Sequence, residues 1–171
     1  GRAEQVMVSG LSLYYPLHSG PVWDMRPYNF RSAMTQGIMI YTDTESQEFS
    51  AELARQGIAE LKSLRPLFLG DIYPLLPLTT SQADWYAYQL HRPDLGQGCV
   101  FVFRRPQSPD AARAICLEEI VPEARYSVSI AGETYQHAAP TVISGRDLER
   151  RKIEIGEKPG SVLIQYRLLK D

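Results

Sequence analysis

The stretch YQLHRPDLGQGCVFVFRR, residues 88–105, predicts two β-strands joined by a tight connection. Its second half places Cys99, Phe101 and Phe103 on one face of a strand and two valines on the other, so both faces are apolar. A strand of this kind is buried on both sides. In the connection Pro93 fixes φ and the glycines after it permit positive φ, so the chain can reverse and pair the strands. By itself this hairpin indicates a buried sheet and no particular activity.

Short runs rich in β-branched and aromatic residues recur throughout the second half of the chain, at intervals of roughly ten residues. Turn signals containing Pro, Gly and Asp separate them. This spacing is typical of an antiparallel β-sandwich or barrel. The predicted strands are residues 85–90, 99–104, 114–118, 126–130, 152–155 and 162–169.

The first half of the sequence contains one clear helix signal. Apolar side chains recur at intervals of three and four over about residues 46–65, which predicts an amphipathic helix. Thr42 and Glu45 have the spacing of a capping box at the amino end. Pro66 cannot donate a backbone hydrogen bond, so the helix is expected to end before it.

The remaining segments of the first half are less regular. Residues 6–15 are apolar and predict a short buried strand that feeds a loop, and residues 32–41 are too apolar for a surface element. Residues 67–80 are rich in Leu and Pro without a clear period, which indicates an ordered connector. Composition changes near residue 80, where a nearly all-β part begins.

Composition and charge exclude several classes of function. With 171 residues, the chain suits one domain, or a small domain with a piece of another. The formal net charge of -2 and the scattered Lys and Arg residues do not favour a nucleic-acid partner. The apolar runs are far shorter than the roughly 20 residues that cross a bilayer, so no membrane partner is expected. Cys99 and Cys116 lie in apolar runs and are expected to be core thiols, with a disulfide as the alternative.

The sequence carries no spacing typical of a metal or cofactor site. Its three histidines are far apart, and no Cys-x-x-Cys, nucleophile elbow, Walker loop or dinucleotide-binding glycine motif is present. We therefore expect neither a metal nor a cofactor.

The best candidate for a functional site is the loop at residues 16–29. His18, Trp23, Asp24 and Arg26 share this loop, and an aromatic ring beside charged hydrogen-bonding groups suits a sugar. A local ion pair between Asp24 and Arg26 is the competing interpretation, and it needs no ligand.

The strand aromatics also permit two interpretations. Trp85, Tyr86 and Tyr88 can form a platform on which a sugar stacks, or they can belong to the core. Their position in a strand that alternates with other apolar residues favours the core.

Five segments follow one another in the middle of the chain: LFLGDIYPL at 67–75, WYAYQ at 85–89, HRP at 91–93, GQG at 96–98 and VFVFRR at 100–105. In this order they resemble the C-terminal region of α-galactosidase-like glycoside hydrolases of family thirty-six, in clan D. Further on, SGRDL at residues 144–148 and KPGSVL at 158–163 resemble the closing hairpin of the same region. Upstream, GLSLYYP at 10–16, FRSAM at 30–34 and the predicted helix resemble the last elements of that family's (β/α)8 barrel.

This resemblance implies an α+β, mainly β fold. Residues 80–171 are expected to form an antiparallel β-sandwich that supports the barrel, preceded in residues 1–79 by the last strand and helix elements of that (β/α)8 barrel. The parent enzyme is expected to hydrolyse an α-linked sugar with two aspartates that lie upstream of this chain. The chain alone is then inactive, although residues 16–29 lie where barrel loops border the substrate. The expected partners are the rest of the barrel and, in the full-length protein, a carbohydrate.

Two other functions remain open from the sequence. A non-catalytic carbohydrate-binding β module requires an exposed aromatic platform, and a structural or interaction domain requires only a partner. If the chain is a fragment, its apolar segments at residues 6–15 and 38–41 lose their barrel neighbours. We expect the chain to cover them by folding back on its own sandwich or by self-association.

Overall fold

Ten strands and four α-helices follow one another in the computed structural model, which describes residues 2–15 and 18–170. A 3-10 helix, Arg65–Leu69, continues the third α-helix. In chain order the elements are α1 Arg2–Ser12, β1 Ser19–Val22, α2 Pro27–Ser32, β2 Gly37–Ile40, α3 Ala51–Leu64, β3 Asp71–Pro74, β4 Tyr86–Arg92, β5 Gln97–Arg104, β6 Ala112–Cys116, β7 Arg125–Ala131, β8 Thr141–Ser144, α4 Gly145–Glu149, β9 Arg150–Glu154 and β10 Gly160–Leu168.

A six-stranded antiparallel sheet in the order β3-β4-β5-β10-β7-β8 forms the centre of the molecule. The hairpin predicted from residues 88–105 is β4 and β5, paired with Tyr88 opposite Phe101. Gly96 in its turn has φ of 59°, which an L side chain rarely adopts. Strand β5 is buried on both faces, as its sequence predicts, because β4 and β10 flank it and both sides of the sheet are covered.

Each face of this sheet contributes to a separate hydrophobic core. One face packs against the two-stranded sheet of β6 and β9, so that two sheets enclose the core. The other face packs against α2, α3 and the 3-10 helix, with Phe101, Phe103 and Leu163 completely buried. The mainly β, antiparallel architecture predicted from the sequence is therefore confirmed.

Strands β1 and β2 pair in parallel, with α2 as the crossover between them. Gly20 allows the close approach of β1 to the end of α2, since a Cβ there would lie 2.2 Å from the carbonyl oxygen of Ala33. The strands of this βαβ unit do not pair with the antiparallel sheets, but its Val22, Met25 and Phe30 belong to the core beneath α3.

A buried ion pair connects α2 and α3 to the central sheet. The guanidinium of Arg31 donates to both carboxylate oxygens of Glu60, at 2.9 and 2.7 Å, and both side chains are almost completely buried. The same guanidinium donates to the carbonyl oxygens of Gly132 and Thr134 and to the hydroxyl of Ser161. Burial acts to raise the pKa of Glu60, but the hydrogen bonds and the charge of Arg31, with the His137 ring 3.8 Å away, lower it overall.

The prediction of a strand within residues 6–15 is wrong, because α1 is a helix through Ser12. Gln5, Val8 and Ser9 are its buried residues, at helical spacing. The Gln5 amide donates to the Ser32 hydroxyl and accepts from Arg105, so polar contacts distant in sequence fix this helix. An apolar run alone does not reveal such contacts.

Helix α3 begins later than predicted. Ser50 caps it by accepting a hydrogen bond from the backbone N–H of Leu53 at 3.2 Å, and Thr42 takes no part in the cap. The predicted connector at residues 67–80 contains β3, whose Asp71 pairs with His91 at the edge of the sheet.

Two burial predictions are also corrected. Cys99 is buried as expected, whereas Cys116 is exposed, and both thiols are free. Residues 32–35 are buried as their composition predicts, but Met39, Ile40 and Tyr41 lie at the surface. They are exposed because no described strand continues the sheet beyond β2.

Candidate functional site

Two exposed aromatic rings stack where β1 and β2 end. The strands are parallel, with Val22 opposite Ile40, so the residues that follow them lie side by side. The rings of Trp23 and Tyr41 have their centroids 5.0 Å apart and their planes at 25°. Their exposed fractions are 61% and 52%. Because solvent-exposed aromatic rings can pack against the apolar face of a sugar, this pair is the part of the described surface that most resembles a ligand-binding site.

Asp24 is held beside this pair by three hydrogen bonds. Its carboxylate accepts from the backbone N–H of Arg26 at 2.8 Å, from the Arg26 guanidinium at 2.6 Å and from the Asn29 amide at 2.9 Å. Partial burial acts to raise the pKa of Asp24, but these hydrogen bonds and the charge of Arg26 lower it. Asp24 is thus a fixed, ionised acceptor and cannot serve as a general acid near neutral pH.

The aromatic pair and Asp24 border one open cleft of about 670 Å³. A second carboxylate, that of Asp43, also lines the cleft and accepts a hydrogen bond from the backbone N–H of Glu45. The amino end of α3 closes the cleft with Phe49 and Ser50. Rings, carboxylates and hydroxyls in one concave surface suit a polyhydroxylated ligand.

The structure brings together three of the four residues predicted for this site. Trp23, Asp24 and Arg26 line the cleft, whereas His18 precedes β1 and is separated from Trp23 by the whole length of that strand, about 16 Å at the usual rise per residue. The Nδ1 of His18 is 2.9 Å from the carbonyl oxygen of Tyr15, and its own carbonyl accepts from Thr35. Residues 16 and 17 of the predicted loop lie outside the described residues. The predicted ion pair between Asp24 and Arg26 is present.

Sequence reasoning missed Tyr41 and Asp43 as members of the cleft. They are about 20 residues from Trp23, and only the parallel pairing of β1 and β2 brings them close. The available signal was the aromatic residue that follows each of two apolar runs, Trp23 and Tyr41.

The strand aromatics belong to the core. Trp85, Tyr86 and Tyr88 are only 2%, 1% and 4% exposed, so the exposed platform that a carbohydrate-binding module was expected to build from them is not there. Cross-strand stacking explains their burial, since the ring of Tyr88 lies 4.8 Å from that of Phe101.

The described residues hold no group of three or more His, Cys, Asp or Glu side chains placed to bind a metal ion. Within the same part of the chain, no helix is long and apolar enough to cross a membrane.

The fold is that of a region found in glycoside hydrolases. An α-galactosidase from Lactobacillus brevis is similar over 84% of this chain and 20% of its own, with a TM-score of 0.61 and 16% identity. Two α-galactosidases of family thirty-six from Geobacillus stearothermophilus are similar over 82% of this chain and 19% of their own. AgaB has a TM-score of 0.58 at 20% identity, and a substituted AgaA in complex with stachyose has 0.64 at 18%.

No family model and no curated protein matches the sequence. The chain spans about a fifth of the length of these solved enzymes. The resemblance to family thirty-six that the sequence predicts is therefore confirmed at the level of the fold.

Proposed function

We propose that this chain is the C-terminal part of an α-galactosidase-like glycoside hydrolase that acts on α-linked sugars. In this proposal residues 1–79 complete a (β/α)8 barrel and residues 80–171 support it. The β1-α2-β2 unit supports the assignment, because parallel strands joined by helices are the repeat from which such barrels are built. The similarity in fold to a fifth of several α-galactosidases also supports it.

The observation that carries the proposal is the position of the Trp23–Tyr41 pair. In (β/α)8 barrels the substrate binds at the carboxyl ends of the strands, and both rings follow the carboxyl ends of parallel strands. With Asp24 fixed beside them, they would form one edge of the substrate pocket in the complete enzyme.

In this proposal the catalytic pair lies in preceding sequence. A retaining glycosidase needs two carboxyl groups about 5 Å apart, one of them protonated when the leaving group departs. Asp24 is held ionised by Arg26 and Asn29, and Asp43 is exposed in a turn. Asp24 therefore does not supply the acid that hydrolysis requires, and this proposal assigns that role to the preceding sequence.

Exposed apolar side chains suggest where the rest of the parent protein would pack. Met7, Leu11 and Leu13 are exposed on α1 and just after it, and Met39 and Ile40 are exposed on β2. Folding back on the sandwich does not cover them. The missing barrel elements or a second copy of the chain would do so.

The proposal is tested by activity and by fluorescence on the same protein. With an aryl α-galactoside the chain should show no turnover, and clear turnover would overturn the assignment. Titration with raffinose should change the emission of exposed Trp23, while Trp85 is buried and serves as an internal reference. The Trp23→Phe variant should lose this response.

The nucleotide sequence upstream of this chain tests where the catalytic pair lies. The reading frame upstream of residue 1 should encode further βα units with two aspartates, and a frame that starts at this chain would contradict the proposal.

A further inference from the structure

A second cavity system, separate from the Trp23 cleft, crosses the outer part of the central sheet. Two adjoining cavities of about 520 and 270 Å³ share Ser63, Ser129, Pro140 and Gln165, and so form one continuous groove. We call it the sheet-face groove. None of its lining residues borders the Trp23 cleft.

The floor of the sheet-face groove is polar where the rest of that face is apolar. Leu163, Gln165 and Arg167 alternate along β10 and therefore point to the same face. Leu163 is completely buried, but Gln165 is only half-buried between Cys99 and Ser129. Arg167 is exposed in the next row, between Gln97 and Ser127. The face thus changes from core to open polar surface within four residues.

Small side chains form the two walls of the sheet-face groove. Helix α3 contributes Ala59 and Ser63 on one side, and the small residues 138–140 form the other. The backbone N–H of Ala138 donates to the carbonyl of Ile130, which fixes that wall to β7. Small side chains on both walls allow a ligand to reach the sheet.

The groove offers hydrogen bonds without a strong net charge. Its carboxylate, Glu60, is already neutralised by Arg31, and the charge of Arg167 lies at the far end. Ser129 lies 3.3 Å from the Nδ1 of His137, which orients its hydroxyl. Among the described residues, none hydrogen-bonds the side-chain amide of Gln165. Amides and hydroxyls both donate and accept, which complements sugar hydroxyls more closely than an anion or an apolar group.

We propose that the sheet-face groove binds a neutral oligosaccharide, as a second carbohydrate site outside the Trp23 cleft. The larger cavity alone has the volume of an ordinary small-molecule site. Because this groove lies on the sheet and not at the strand ends of the βαβ unit, it would hold a chain of sugar without exposing that chain to catalysis. The proposal does not require the parent enzyme to be an α-galactosidase.

The test uses stachyose as the probe, followed by NMR chemical shifts on the full 171-residue chain. Shifts are expected at Ser127, Ser129 and Gln165. Ala59→Trp should weaken binding at least about tenfold, since the indole would fill the groove from an exposed helix position. Lys62→Trp on the same helix lies outside the groove and should bind as the wild type does.

Three outcomes would overturn the proposal. One is the absence of shifts with stachyose at millimolar concentration. Another is binding that Trp23→Ala abolishes and Ala59→Trp leaves unchanged, which would assign the sugar to the other cleft. The third is tighter binding of an anionic oligogalacturonate than of stachyose, which would assign the groove to Arg167 and an acidic ligand. Retention of binding in Trp23→Ala supports the groove even if the proposed hydrolase function fails.

Discussion

Arg31 is the residue on which the contact between helices and sheet depends most. Replacing it with Met would leave Glu60 buried without its cation, so the folded state would carry an uncompensated charge. We expect Arg31→Met to lower the free energy of unfolding by about 3–5 kcal/mol. Urea denaturation followed by circular dichroism measures this change.

The matched control is Arg55→Met on α3. Arg55 pairs with Glu52 at the surface, where both side chains are well exposed, so its loss should change stability little. Equal effects of the two substitutions would show that burial of the pair does not matter.

His91 should make stability depend on pH. Its ring lies 2.8 Å from the hydroxyl of Tyr166, and burial lowers its pKa, although the carboxylates of Glu119 and Asp71 oppose this shift. Below about pH 6.5 the unfolded chain therefore binds a proton that the folded chain resists, and stability falls as the pH falls.

The variant His91→Gln tests this sign. Between about pH 7.5 and 5.5, its free energy of unfolding should decrease less than that of the wild type, because glutamine does not titrate. Parallel curves for the two proteins would exclude His91 as the source.

At the scale of elements, the cap of α3 gives a direct test of where this helix begins. Ser50→Ala removes the acceptor for the Leu53 N–H and should destabilise the protein by about 1 kcal/mol. Thr42→Ala removes the residue that the capping-box spacing favoured, and should have almost no effect. Thermal melts of both variants check the assignment, and a larger loss for Thr42→Ala would place the helix start earlier.

Four of the six strands of the central sheet, β4, β5, β7 and β10, could be predicted from the sequence because their apolar pattern is local, whereas the short edge strands β3 and β8 could not. Residues 99–103 place apolar side chains on both faces of a strand, and such a short run is typical of a buried strand. Helix α1 could not be predicted in this way. Its buried positions include Gln5, whose hydrogen-bond partners lie on α2 and just after β5.

Only those residues of the candidate site that are close together in the sequence could be predicted. Trp23, Asp24 and Arg26 are neighbours in sequence and their hydrogen bonds are local. Tyr41 joins them through strand pairing across 18 residues, and His18 is separated from them by the length of β1. Proximity in the chain therefore places His18 in the cleft, which it does not line, and misses Tyr41, which does line it.

For the molecule as a whole, the exposed apolar side chains on α1 and β2 predict that the isolated chain self-associates. The apparent mass in sedimentation should rise with protein concentration. The double variant Leu11→Lys with Met39→Lys should remain monomeric over the same range, since two charges would be buried in any contact.

Val142→Lys provides the control for this experiment. Val142 is at least as exposed as Leu11 and Met39, but it lies on β8, an edge strand of the central sheet. It should associate as the wild type does. Loss of association in this control as well would indicate a general effect of charge on solubility.

The contacts of Arg31 also set an order of events during protein synthesis. Its partner Glu60 follows after 29 residues, but Ser161 follows only after 130. At about 5–20 residues per second, the last strand leaves the ribosome on the order of ten seconds after Arg31 does. During that interval the strand that joins β5 to β7 is absent, so the central sheet remains in two parts and the Arg31 guanidinium cannot complete its buried hydrogen bonds. The interior of this protein can therefore close only when translation has reached β10.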